Sequence, residues 1–224
     1  MERRVTSELL DDDLGTAAEI AASLTDLGQI NNWFGGTRTT ICLLRRVARA
    51  DSCRRLSVLE VGAGRGAVPL AAQRILGQEG ISLQIALIDR ASSHLPTDGT
   101  RAIAGDALHL PFRDEAFDVV SSSLLAHHFD RDSLRRFVRE ALRVCRRAVL
   151  INDLIRSRVH LGLVYLGLPH FRSRLTWHDA PASVRQAYTV DEMRDLLFEL
   201  PARKVEITRH YLYRMGVLVR KSGS

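Results

Sequence analysis

The 224-residue chain has little cysteine, almost no lysine and no long apolar run, and each shortage removes a class of protein. Cys42, Cys53 and Cys145 are odd in number, far apart and free of any C-x-x-C pair, which excludes a disulfide framework and a zinc ribbon. The longest apolar stretch, residues 161–168, falls far short of the ~20 residues that cross a bilayer. The mixed-charge start, residues 1–13, has no apolar segment of the kind a secretion signal needs. A cytoplasmic protein without membrane attachment is expected. Only Lys204 and Lys221 among the 32 cations are lysine, and the net charge of +6 is spread along the whole chain, so no nucleic-acid partner is expected. Repeats, low-complexity tracts and linkers are also missing, which argues against a domain split. What is present, 46% hydrophobic and 26% charged residues, is the usage of one compact domain with a core.

The periodicity divides that domain into four parts. Residues 1–50 hold two helices: Thr16-Ala17-Ala18-Glu19 is a capping box that opens the first, and Gly35-Gly36 separates it from a second over residues 37–50. Residues 56–156 alternate short β-rich runs (56–61, 83–89, 101–104, 117–121, 148–153) with helical stretches (67–78, 132–144), the pattern of a parallel sheet with crossover helices. Residues 157–200 interrupt the alternation with a helix at 159–168 ended by Pro169, a loop holding Trp177, His178 and Asp179, and a helix opened by a second capping box, Thr189 to Glu192. Residues 203–220 contain two β-like runs with no room for a helix between them, so they close the sheet as an antiparallel hairpin. The expected fold is α/β, Rossmann-like and mostly parallel, with an antiparallel edge and an N-terminal helical lid.

The first strand runs into Glu60-Val61-Gly62-Ala63-Gly64-Arg65-Gly66 and then a helix, an arrangement that brings backbone N–H groups and a helix N-terminus up to a ligand. Gly62, Gly64 and Ala67 also fit the dinucleotide fingerprint, with Asp89 as its ribose acid, so the glycines alone leave a nicotinamide oxidoreductase open. Glu60 favours S-adenosylmethionine, because a carboxylate at the strand end repels a pyrophosphate and suits a cationic ligand, and leaves the oxidoreductase as the lesser alternative. Asp106, after the third strand, can accept from the exocyclic amine of an adenine.

On Val58 to Gly66, Asp89, the run from Gly105 to Phe112, Phe117-Asp118-Val119-Val120 and His127-His128-Phe129, the chain resembles the class I S-adenosylmethionine-dependent methyltransferases, in particular bacterial small-molecule members of the quinone-pathway and natural-product kind. The resemblance implies a seven-stranded sheet and a set of cofactor contacts. Gly62, Ala63, Gly64 and Gly66, with Glu60, would meet the methionine part. Asp89 and the adjoining Arg90 would hold the ribose, Asp106 and Ala107 the adenine, and the stretch 121–125, including Ser122 and Leu124, would line the methyl-donor pocket.

Methyl transfer to an oxygen, the expected reaction with carbon or nitrogen methylation as the alternative, needs a proton acceptor, and His127 and His128, after the fourth strand, stand where open α/β sheets bind ligands. They are the expected catalytic residues, with His178 beside Asp179 as a rival base. Tyr165, His170, Trp177, His178 and Arg185 in the 157–200 cover, with Trp33 in the lid, are the expected contacts for a flat phenolic or polyketide-like small molecule, free or borne on a carrier protein. Arg174 or Arg185 could hold a substrate carboxylate. Ser121-Ser122-Ser123 place no acidic ligand at the fourth strand's end, so no metal is expected. The stretch 131–147 carries Arg131, Arg135, Arg136, Arg139, Arg143, Arg146 and Arg147 against Asp132 and Glu140. This is the chain's one basic cluster, either a solvated face or a dock for an acidic partner.

Overall fold

A computed structural model describes residues 1–200 and 204–221. Helix α1 (Ala17–Trp33) begins at the expected capping box: the Glu19 backbone N–H donates to Thr16 Oγ1, and the Thr16 N–H donates back to the Glu19 carboxylate. Gly35, with φ of +79°, turns the chain into α2 (Gly36–Ala50). The strands are β1 (Arg55–Val61), β2 (Ser82–Asp89), β3 (Ala102–Ala104), β4 (Phe117–Ser123), β5 (Cys145–Leu154), β6 (Lys204–His210) and β7 (Arg214–Arg220), with α3 (Ala67–Gln78) after β1 and α4 (Arg131–Val144) after β4. The expected hairpin matches β6 and β7, although residue 203 lies outside the described residues.

These strands form one seven-stranded sheet in the order β3-β2-β1-β4-β5-β7-β6. The first five are parallel, and β7 runs antiparallel to both β5 and β6. Alternate residues feed opposite faces. Leu56 and Val58 of β1 join Leu43, Leu44 and Val47 of α2 and Leu76 of α3 in one core, while Leu59 and Val61 join Leu134, Phe137 and Val138 of α4 in the other. Each fully buried aliphatic side chain removes ~1.5–3 kcal/mol of exposure cost, so the two cores hold the sheet rigid between helical layers.

The cover departs from the expected pattern. Helix α5 (Arg158–Gly167) is as expected, but the stretch with Trp177, His178 and Asp179 is no loop: it forms α6 (Arg174–Gln186), with Pro181 inside it. Burial of Leu175, Ala182 and Val184 outweighs the lost backbone bond, and Ser173 caps the start by accepting from Leu175 N–H. Helix α7 (Val190–Phe198) follows its capping box. Four of the seven arginines of 131–147 are paired within the fold. Arg135 pairs with Asp132 and Glu199, Arg143 with Asp114 and Glu140, Arg146 with Asp118, and Arg147 with Asp51 and Asp118. No helix among the described residues is long and apolar enough to cross a membrane.

Candidate active site

The order reverses between β1 and β4, and the crevice at such a point is where open α/β sheets take ligands. A cavity of about 1030 Å³ opens there, lined by strand ends, α1, α5, α6 and the N-terminal segment. Its size lies at the top of the ~300–1,000 Å³ range of single-ligand pockets, enough for a cofactor and a second molecule.

One half is built from the glycine turn. Gly62, Gly64 and Gly66 have φ of +67°, +49° and +73°, and a Cβ on Gly62 would come within 2.9 Å of Leu125 Cδ1. The Gly64 N–H donates to Asp89 Oδ2 at 2.8 Å, so the acid at the end of β2 also holds the turn in shape. Glu60 is fully buried, its carboxylate oxygens lack hydrogen-bond partners, and burial pushes its pKa up to about 7 against a weaker opposing pull from Ser123 and Ser121. An orphaned buried carboxylate beside a cradle with no room for side chains fits a cationic amino-acid moiety such as the methionine part of S-adenosylmethionine. Ala63, Arg90, Asp106, Ala107 and Leu124 also line the cavity. Ser122 does not: it is fully buried in the sheet, and its neighbours Ser123 and Leu125 take the place expected for it, because alternation along β4 turns residue 122 away.

The other half is closed by two histidines. Asp153, at the end of β5, accepts from the His127 backbone N–H at 3.0 Å and lies 2.6 Å from His127 Nδ1. His128 Nδ1 lies 2.7 Å from Asp11, and the two rings sit with centroids 4.2 Å apart. Between the two Nε2 atoms stands the Glu8 carboxylate, 3.5 Å from His127 and 4.0 Å from His128. Burial by itself would lower the His127 pKa, but Asp153 and Glu8 lift it to about 10, and Asp153 is lowered in return. His127 is thus a buried cation gripped by carboxylates, and both rings line the cavity, His128 being the more exposed of the two. Glu8, His127 and His128 also form a set that could hold a metal ion, their ligand atoms lying within 4.8 Å of one another.

Of the expected substrate contacts, Trp33 and His170 line the cavity, whereas Tyr165, Trp177, His178 and Arg185 do not. Helix formation by 174–186 places Trp177, His178 and Arg185 outside the cavity: Trp177 is half exposed and donates to Phe171 O, and Arg185 packs on Tyr165, itself half exposed on α5. Arg174 is spent on an ion pair with Glu19. His178 lies beside Asp179, whose carboxylate accepts from Leu9 and Leu10 N–H, so this pair anchors the N-terminal segment and is no rival base. Four site residues escaped the sequence reading: Glu8, Asp11, Asp153 and Arg214. Arg214 is fully buried on the cavity wall, donates to Asn31 Oδ1 at 3.1 Å, and leaves Nε and Nη1 unpartnered. Asp153, a carboxylate at a parallel strand's end, was the one with a readable signal.

Residues 59–151 match the family described as methyltransferase domain. The uncharacterized methyltransferase YcgJ of Bacillus subtilis (strain 168) is 32% identical over 91 residues, 39% of this chain and 35% of that protein, so the match spans about a third of the relative's length. The plantazolicin methyltransferase BamL, solved with a triazolic desmethylPZN analog and SAH, superposes with a TM-score of 0.64 at 14% identity over 87% of this chain and 89% of that one. Human N-acetylserotonin methyltransferase, solved with SAM, gives 0.62 at 12% identity over 90% and 55%. At these identities the fold is what is shared. Sheet order and glycine cradle define the class I S-adenosylmethionine-dependent methyltransferase fold. Within it, the stretch 59–151 is the part that is similar to the methyltransferase-domain family.

Proposed function

We propose that the protein transfers a methyl group from S-adenosylmethionine to an oxygen of a small phenolic or polyketide-like acceptor. The observation that carries this reading is the division of one cavity into a cradle ending at an orphaned buried carboxylate and an apolar chamber walled by a histidine pair. When bound, S-adenosylmethionine supplies an electrophilic methyl on sulfur. Glu60 and the glycine turn hold its cationic amino-acid end, Asp89 its ribose, and Asp106 with Ala107 its adenine. The acceptor hydroxyl then lies against the Glu8–His127–His128 wall, where its proton is lost. Leu163, Val164, His170 and Phe171 exclude water from that chamber, which keeps the methyl for the intended nucleophile. Arg214 offers its free N–H groups to a second oxygen of the acceptor.

The test has two stages. Thermal shift compares S-adenosylhomocysteine with NAD; stabilisation by the former alone is expected, and by NAD alone overturns the cofactor. Methyl transfer is then followed by mass spectrometry over phenols and hydroxypyrones, with the product's site of methylation assigned. Methylation at carbon or nitrogen alone overturns the oxygen assignment.

A further inference from the structure

We propose that Glu8, His127 and His128 form a binding site for a divalent transition metal ion, of the kind that zinc or cobalt occupies, on the wall of the acceptor chamber. The separations decide between a hydrogen-bonded cluster and a ligand set. Glu8 Oε1 is 3.5 Å from His127 Nε2 and Glu8 Oε2 is 4.0 Å from His128 Nε2, too long for hydrogen bonds, which run at ~2.7–3.2 Å. Metal–donor bonds of ~2.0–2.2 Å at a tetrahedral angle set neighbouring donors ~3.3–3.5 Å apart, so these groups need only a small adjustment to close on an ion. His127 Nε2 is also buried with no hydrogen-bond partner, an arrangement a protein interior rarely tolerates unless something is to be bound.

The outer contacts agree. Ligand histidines characteristically offer their second nitrogen to a carboxylate, which fixes the ring and aims the free lone pair. Asp153 does this for His127 at 2.6 Å, and Asp11 stands at 2.7 Å from His128 Nδ1. Glu8 is itself oriented by Ser183 Oγ and Gln186 Nε2, each donating to its Oε1 at 2.6 Å. With the proton on His127 Nε2 released as the ion binds, three carboxylates around two neutral imidazoles balance a dication, and two histidines with one carboxylate leave coordination positions open toward the cavity. The expectation of no metal looked only at the end of β4; Glu8 arrives from the other end of the chain. An ion here would take the acceptor oxygen as a ligand and ease loss of its proton to water. That use rests on the methyl-transfer reading, whereas binding does not.

The experiment uses the full chain, stripped with a chelator and titrated with Zn²⁺ by calorimetry and with Co²⁺ by visible absorption. One equivalent is expected, with the d–d bands of nitrogen and oxygen coordination. Glu8→Gln and His128→Asn should each weaken binding by at least ~10-fold, and the outer-shell change Asp11→Asn, on a partly exposed residue, by ~10–100-fold. Retained binding of S-adenosylhomocysteine by each variant shows that it is folded. Absence of stoichiometric binding, or variants that bind like the wild type, overturns the site, whereas full methyl transfer in chelator overturns only the use given to the ion. Stoichiometric metal with no methylation of any phenol leaves the site standing and refutes the acceptor reading instead.

Discussion

Glu60→Gln tests the cofactor cradle most sharply, because it separates the cost of the buried carboxylate from its use. In the folded protein burial raises the Glu60 pKa from 4.5 to about 7. The folded state therefore keeps a proton that the unfolded chain gives up, and the resulting stabilisation is complete below pH 4.5 and lost as pH rises through about 7. Glutamine has no such dependence. Between about pH 5.5 and about pH 8.5 the wild type should lose about 2 kcal/mol relative to the variant, or about 4–8 °C of Tm in a chain of this size. Melting curves without ligand at the two pH values measure the gap. The ligand acts in the opposite direction: its ammonium needs the ionised carboxylate, so wild-type affinity for S-adenosylhomocysteine should fall as pH drops below about 7. At high pH the variant should bind ~10–100-fold more weakly, the worth of a charge-assisted hydrogen bond. A Tm gap that does not widen with pH, or equal affinity in both proteins, would refute the role given to Glu60.

Two other substitutions probe separate parts of the cavity. Arg214→Met removes a fully buried guanidinium with two unpartnered nitrogens, so stability should hold or rise by ~0–2 kcal/mol while the KM for the acceptor rises about 10-fold and that for the cofactor stays put; melts and steady-state kinetics read both. Gly62→Ala forces a Cβ onto φ of +67° and against Leu125, which should cost ~1–2 kcal/mol of stability and weaken S-adenosylhomocysteine binding in calorimetry.

The glycine turn, Asp89, Glu60 and the histidine pair were legible because each rests on local rules: a strand-to-helix turn needs positive φ, and a strand's carboxyl end faces the crevice. The cover was legible only in part. The stretch with Trp177 and His178 reads in the sequence as a loop between two helices, yet buried Leu175 and Val184 hold it helical and turn these side chains out of the cavity. Arginine spacing likewise suggested a free basic face, and only the folded chain showed Asp51, Asp114, Asp118 and Glu199 consuming much of it.

The sequence by itself determined the sheet, its antiparallel edge and the cofactor half of the site, since those follow from residue periodicity and from contacts between near neighbours. Tertiary structure decided what surrounds the histidine pair in the half proposed for the acceptor. Glu8 and Asp11 come from the N-terminal segment, His127 and His128 follow β4, Asp153 ends β5 and Arg214 opens β7. No spacing along the chain encodes their meeting, because they are brought together by the sheet's strand order and by Asp179 fastening the backbone of residues 9 and 10 over the crevice.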